Sequence, residues 1–390
     1  MNTSNNDFEN IRSCSDEEIN RILRKITSEP IFQNVLNYFF PDRPNDEIIS
    51  EINAITSTGE YQKKFIIEVI RSVIRQTTDG LTHSGFENLD TEKAYLFIAN
   101  HRDITFDSAV LQLLLFNHDH RIPEIAFGSN LLMSELIINA FRVNRTFMVI
   151  RDGTKREMLN NSKQLSTYIR HTITERNTSV WIAQRNGRAK DGNDKTEPGL
   201  LKMLNMSGSN NFTENFKELN LVPVTISYEY EPCDVMKVKE LYASQNSTYK
   251  KTQDEDLHSV ITGITQQKGR IHMSVGKPVC DVLPGIEGKP NNIRFAELRG
   301  IIDRQISENY KLWKTNYIAY DLLNSNNKYT NFYSPGEEEA FKAYMSKQLI
   351  DIKNDKKVIE QMFLNMYANP VVNKNAKIKT GYVRNSYCRK

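Results

Sequence analysis

The stretch Ala94-Tyr95-Leu96-Phe97-Ile98-Ala99-Asn100-His101-Arg102-Asp103-Ile104-Thr105-Phe106-Asp107-Ser108-Ala109-Val110-Leu111-Gln112-Leu113-Leu114-Leu115-Phe116 decides how the chain is read. It opens on a short apolar run, 95–99, of the kind that forms a buried strand. It closes on a leucine-rich run, 109–116, which reads as a helix against the core. Between the two lies a polar turn with one histidine and two aspartates. A strand-to-helix turn at a sheet edge is where α/β proteins place their chemistry. His101 is the expected general base. Such a base needs a carboxylate to fix its tautomer and to stabilise the imidazolium formed when it takes a proton. Asp107 is the expected partner: it follows by six positions, in the first helical turn, where its side chain points back at the turn. Asp103 is nearer in sequence and reads as the N-cap of the same helix. The spacing alone leaves the choice of partner open between them.

Outward from this stretch, short β-rich runs alternate with amphipathic segments. The strand candidates are 94–99, 124–127, 147–150, 179–183, 221–227 and 270–275. The helix candidates between them are 106–117, 130–142, 154–175 and 254–265. Thr154 with Glu157 three positions on forms a capping box for the third of these. Strands alternating with helices predict an α/β fold with a mostly parallel central sheet flanked by helices. Before it, 17–76 carries only helical spacing, as in Phe65, Ile66, Val69, Ile70 and Val73, broken at Pro30 and at 41–44. After Pro284 the pattern is helical again, over 294–310, 337–349 and 355–367, with a basic and loosely held tail from 373 to 390. The expected units are a helical N-terminal unit, 1–82, a central α/β domain, 83–283, and a helical C-terminal extension, 284–390.

The bulk properties exclude several classes of function. A net charge of +3 on 390 residues is too small to argue for a nucleic-acid partner. The four cysteines, Cys14, Cys233, Cys280 and Cys388, show no metal-type spacing and read as free thiols in a reducing compartment. The seven histidines are dispersed, so no metal site is expected. The N-terminus lacks the basic-then-apolar pattern of a secretory signal. No run reaches the ~18 apolar residues that a membrane span needs. The expected location is cytoplasmic, with peripheral contact at the inner face of a membrane through the apolar stretch 131–141. The same stretch also reads as a core helix.

Further motifs join the first. Phe147-Met148-Val149-Ile150-Arg151 is a strand that ends in arginine. Val180-Trp181-Ile182-Ala183-Gln184-Arg185-Asn186-Gly187-Arg188-Ala189-Lys190-Asp191-Gly192 is a strand followed by a basic, glycine-bearing loop. Leu221-Val222-Pro223-Val224-Thr225-Ile226-Ser227 is a strand that carries a proline, and Val275-Gly276-Lys277-Pro278-Val279 closes the region. Taken with His101 and Asp107, these blocks resemble the glycerolipid acyltransferase superfamily, over about 85–281. That superfamily includes glycerol-3-phosphate, dihydroxyacetone-phosphate and lysophosphatidate acyltransferases. Its first block separates histidine and aspartate by four residues, whereas His101 and Asp107 are separated by five. Its third block begins with a glutamate, whereas this chain has Gln184, Arg185 and Asn186 in that region.

The resemblance implies His101 and Asp107 as the catalytic pair. It implies Arg102, Arg151, Gly187, Arg188 and Lys190 as substrate-binding residues, with Arg151 meeting the acceptor's phosphate. It implies no cofactor beyond the acyl-CoA or acyl carrier protein that serves as donor. The acceptor is then glycerol phosphate or a lysolipid. The missing glutamate leaves open an acceptor that is an amino-acid-containing lysolipid. The residues support the same chemistry directly. A hydroxyl is a poor nucleophile at neutral pH, and a histidine-aspartate pair removes its proton as it attacks a thioester. Arginine's planar fork meets phosphate oxygens in pairs. No Gly-x-Ser-x-Gly elbow is present, which argues against a serine hydrolase. An acyl-thioesterase and a non-catalytic lipid or acyl-carrier binding protein are the two rival readings.

Overall fold

Leu96, Phe97, Ile98 and Ala99 are buried on both faces of one strand. Full burial is what a parallel sheet covered by helices on each side imposes, and the rest of the chain is built around that strand. The structure is a computed structural model that describes residues 8–131, 134–208, 211–246, 253–352 and 355–380.

The chain begins with helices α1 (Asp16–Thr27), α2 (Pro30–Phe39), α3 (Asn45–Asn53) and α4 (Thr58–Tyr61), the last running through a π turn (Gln62–Ile66) into α5 (Ile67–Thr77). The starts follow local chemistry: Ser15 and Glu18 make a capping box for α1, and Pro30 opens α2 where a missing N–H is harmless. Then come β1 (Gly80–Ser84), β2 (Leu96–Ala99), α6 (Phe106–Asn117), β3 (Glu124–Gly128), α7 (Glu135–Val143), β4 (Thr146–Val149), α8 (Lys155–Thr174) and β5 (Val180–Ala183). They are followed by α9 (Pro198–Leu204), α10 (Phe212–Lys217), β6 (Leu221–Tyr228), α11 (Asp234–Asn246), α12 (Gln253–Thr265) and β7 (Arg270–Val275). Helices α13 (Asn291–Asn309), α14 (Lys314–Asn324), α15 (Pro335–Leu349) and α16 (Lys356–Thr380) follow.

One seven-stranded sheet has the order β1-β7-β6-β2-β5-β3-β4. From β6 to β4 all neighbours are parallel, whereas β7 runs antiparallel to β6 and β1 follows β7 in parallel. The expected fold class is the observed one, and all six strand candidates are strands. One strand, β1, carries no apolar alternation and is absent from the sequence reading. It lies on the sheet edge with four of its five residues exposed. Polar side chains hold it: Thr82 bonds His272 at 2.8 Å and Ser84 bonds Ser274 at 2.8 Å.

Alternate residues of β2 face two cores. Leu96 and Ile98 join α8, α9, α10 and α13; Phe97 and Ala99 join α6. Both helical regions share cores with their neighbours. Val143 of α7 packs among Ile19, Leu23, Leu36 and Ile52 of the N-terminal helices, and Leu298, Ile302 and Ile306 of α13 sit with Leu96 and Ile98. Strand β1 also runs across the expected boundary at 82/83. The last helix departs from the reading that ended it near Tyr367 and left the tail loose from 373. It continues through Pro370 to Thr380, and Val371, beyond the proline, is as fully buried as Tyr367 and Ala368 before it. Asn316 donates to the Tyr367 carbonyl at 2.9 Å. Residues 381–390, with Cys388, lie outside the described residues. Cys14, Cys233 and Cys280 are free thiols.

Candidate active site

Strands β2, β3, β4 and β5 are mutually parallel, so the loops leaving their C-terminal ends meet at one edge of the sheet. His101 follows β2, Gly128 and Asn130 stand at the end of β3, Arg151 follows β4, and Asn186, Gly187 and Arg188 follow β5. All of them line one cavity, together with Ile104, Phe127, Trp181, Lys190, Glu240 of α11 and Asp256 of α12. Its volume of about 270 Å³ suits a ligand and far exceeds the room one water needs.

The turn after β2 is fixed before any ligand arrives. Asn100 is fully buried and clamps the strand end to β6: its Oδ1 accepts from the Ile226 N–H at 2.8 Å, and its Nδ2 donates to the Ile226 carbonyl at 3.0 Å. His101 Nδ1 lies 3.0 Å from Asp107 Oδ2. The same oxygen accepts the backbone N–H of Arg102 at 2.6 Å and of Asp103 at 2.9 Å. The Tyr228 hydroxyl donates to Asp107 Oδ1 at 2.7 Å. A carboxylate that receives three other donors is an acceptor toward the imidazole as well. In the neutral ring Nδ1 therefore carries the proton and Nε2 the lone pair. Among the described residues Nε2 has no protein partner, and the ring packs edge-on to Trp181 with centroids 5.6 Å apart. Burial, followed by the Asp107 charge, holds the Tyr228 phenol well above its ordinary pKa, so it stays a donor.

The partner question left open by the spacing is answered by distance: Asp107 meets His101. Asp103 caps the helix, its Oδ1 accepting from the N–H groups of Thr105 at 3.0 Å and Phe106 at 2.8 Å. The five residues between His101 and Asp107 leave the histidine-aspartate contact intact.

Of the expected substrate-binding residues, Arg151, Gly187, Arg188 and Lys190 line the cavity with His101, and Arg102 does not. Arg102 has no solvent exposure and points into the protein. It donates to Asp194 Oδ2 at 2.6 Å, Glu231 Oε2 at 3.1 Å and the Gly192 carbonyl at 3.2 Å. Burial alone would lower its pKa, but Asp194 and Glu231 more than offset that and hold it above its ordinary value. A side chain after His101 alternates away from it, and here it joins a buried ion-pair network that also contains Lys237. Arg102 is thus a structural residue.

The cations that line the cavity are unequally matched. Lys190 pairs with Glu240. Arg188 Nη2 donates to Ser259 at 3.1 Å, while its Nη1 is buried without a hydrogen-bond partner among the described residues. Burial lowers the Arg151 pKa, an effect Glu197 and Asp256 only partly offset. These two guanidiniums are the groups an anion would best satisfy. Of the residues in the glutamate's region, Asn186 lines the cavity, whereas Gln184 is fully buried beneath the loop.

A second, apolar cavity of about 140 Å³ adjoins the first. The two share Phe127, and Thr105 and Phe106 of the His101 turn line it. Its other walls include Phe39 of α2, Ile70 of α5, Phe141 of α7 and Ile264 of α12. Phe141 stacks on Phe127 with centroids 3.9 Å apart. Leu132 and Met133 of the apolar stretch 131–141 lie outside the described residues.

Sequence reasoning missed Tyr228, Glu240, Asp256 and Ser259. None belongs to a motif, and each reaches the site only because β6 ends beside β2 and helices α11 and α12 bring their residues to it. Among the described residues no group of three or more His, Cys, Asp or Glu side chains is placed to hold a metal ion. Among them no helix is long and apolar enough to cross a membrane.

Comparison with known proteins bears on this geometry. No curated protein matches the chain. Among solved structures it is similar to the crystal structure of the 1-acyl-sn-glycerophosphate (LPA) acyltransferase PlsC from Thermotoga maritima, at 12% identity and a TM-score of 0.39, over 75% of this chain and 94% of that one. Residues 80–227, which span β1 to β6 and so include His101, Asp107, Arg151 and Arg188, match the family model described as Acyltransferase. By that match, residues 80–227 are an acyltransferase domain.

Proposed function

We propose that the domain moves a fatty acyl group from an acyl-CoA or acyl carrier protein thioester to a hydroxyl of glycerol phosphate or a lysophospholipid. The observation that carries this reading is an imidazole held at Nδ1 by Asp107, with Nε2 free in a cavity that also holds Arg151 and Arg188. The acceptor's phosphate sits between the two guanidiniums. Its hydroxyl gives its proton to His101 Nε2 as the oxygen attacks the thioester carbonyl. The C–S bond then breaks, and the thiolate leaves with the proton from the imidazolium. General-base help of this kind is worth roughly 10²–10⁴-fold in rate. No covalent enzyme intermediate is needed. The apolar cavity beside Phe127 takes the start of the acyl chain.

A second acceptor class is favoured by one observation: two carboxylates, Glu240 and Asp256, line the cavity beside the cations. They suit an acceptor that carries an ammonium group, such as an amino-acid-containing lysolipid. Contact with a lipid surface belongs to the same proposal, and liposome flotation tests it.

The test is thiol release from palmitoyl-CoA by the full chain, with glycerol 3-phosphate, lysophosphatidate, an amino-acid-containing lysolipid or no acceptor. Acceptor-dependent release, with acylated product seen by mass spectrometry, supports the transferase. Release that ignores every acceptor would replace it with a thioesterase. Donor binding without turnover would leave a binding protein.

A further inference from the structure

The loop that carries Arg188 and Lys190 has no secondary structure of its own. Left-handed glycines turn it at both ends, Gly187 at φ 74° and Gly192 at φ 75°. A loop of this kind takes its shape from what surrounds it. Its contacts toward the histidine turn are clear: the Ala189 N–H donates to the His101 carbonyl at 2.8 Å, and Arg102 donates to the Gly192 carbonyl. The opposite side of the loop is held by α16, about 180 positions away in sequence.

Pro370 has no N–H to close the helical turn on the carbonyl of Met366, four residues back. That carbonyl meets Gly192, where a Cβ would lie 2.1 Å from the oxygen. Only a glycine allows the loop this close. The neighbouring Asn369 donates from Nδ2 to the Asp191 carbonyl at 2.7 Å. Asp191 in turn accepts the Asn193 N–H at 3.0 Å, so the loop's own turn begins at the residue α16 holds. Helix α16 is itself anchored. The Tyr367 hydroxyl donates to Asp234 at 2.9 Å and accepts the Glu231 N–H at 2.9 Å. Glu231 is the second carboxylate that holds Arg102. Loop, helix and histidine turn therefore form one closed circuit of contacts.

We propose that α16 is a built part of the acceptor site, with Asn369 as a positioning residue that sets Arg188 and Lys190 through the Asp191 carbonyl. This rests on the reading of the cavity as the acceptor site. Among the described residues no hydrogen bond joins Asn369 to the His101–Asp107 pair, which Tyr228 and the turn's own N–H groups hold. Its effect falls on acceptor affinity, with the chemical step spared.

The experiment compares the full chain with Asn369→Ala and with Asn369→Asp, which keeps the size but loses the donor. Steady-state rates with palmitoyl-CoA give KM for glycerol 3-phosphate and lysophosphatidate, and calorimetry gives the Kd of glycerol 3-phosphate without turnover. Both variants should raise acceptor KM and Kd by about 3–10-fold, the worth of one hydrogen bond, with kcat and donor KM unchanged. Unchanged acceptor KM in an active background would overturn the inference. So would a fall in kcat that tracks a lowered melting temperature, which marks a merely structural role. A wild-type protein that neither binds nor acylates either acceptor would overturn the functional reading itself, and the inference with it.

Discussion

Asp107 accepts four hydrogen bonds at 2.6–3.0 Å although it is almost wholly buried. Three of the donors are fixed by the turn's own sequence, which is why His101 and Asp107 were legible together. The fourth, Tyr228, stands 121 positions away and no motif announces it. Tyr228→Phe removes one donor from the carboxylate and keeps the ring. We predict a fall in kcat of about 2–10-fold, with acceptor KM unchanged, in steady-state assays. Arg102 shows the converse. Its place after the histidine suggested substrate contact, but only the fold reveals Asp194 and Glu231 waiting inside. Arg102→Met removes the guanidinium that bridges those two buried carboxylates and leaves Glu231 to Lys237 and Asp194 to Asn100, so urea denaturation should show a loss of about 3–5 kcal/mol.

At the scale of elements, the parallel strands were legible because burial on both faces demands near-continuous apolar runs. Strand β1 and helix α11 were not, since polar cross-strand pairs and long-range contacts define them. Helix α12 was read as a helix, but its role was not. It comes so close to the histidine turn that a Cβ at Gly263 would lie 2.1 Å from Asp103 Oδ2. Gly263→Ala should therefore destabilise the protein and lower activity. Gly199→Ala in α9, with nothing within 4 Å, should be neutral or stabilise by up to about 1 kcal/mol in thermal or urea melts. The segment that returns from α12 to β7 carries Lys268, which is fully buried and donates to Thr77 at 2.9 Å and to the Gln266 carbonyl at 2.7 Å. Burial lowers its pKa from 10.5 to about 8. Between those values the folded chain has released a proton that the unfolded chain still holds, so this group's contribution to stability rises with pH across that window. Stability of the wild type relative to Lys268→Met should rise by roughly 3 kcal/mol from pH 8 to above 10.5. Urea midpoints at both pH values check this.

For the whole molecule, the sequence separated three regions by pattern, and packing joins them. Ile98 shares a core with α8 before it reaches α13, more than 190 positions later. Pattern reads local period; it does not read which distant helix will cover a face. The same limit hid the seat of the C-terminal helix against the 187–194 loop, which depends on a proline and a glycine that look unrelated in sequence. Because Ile98 lies at the centre of this shared core, Ile98→Ala should cost about 2–5 kcal/mol in a single cooperative urea transition.

The account as a whole stands on His101 as the base. The most direct test is kcat/KM for acceptor-dependent thiol release from palmitoyl-CoA, measured side by side for the wild type and His101→Ala, with melting curves to show that both are folded. A loss of about 10²-fold or more is predicted. A folded variant that keeps its rate to within a few-fold would contradict the account.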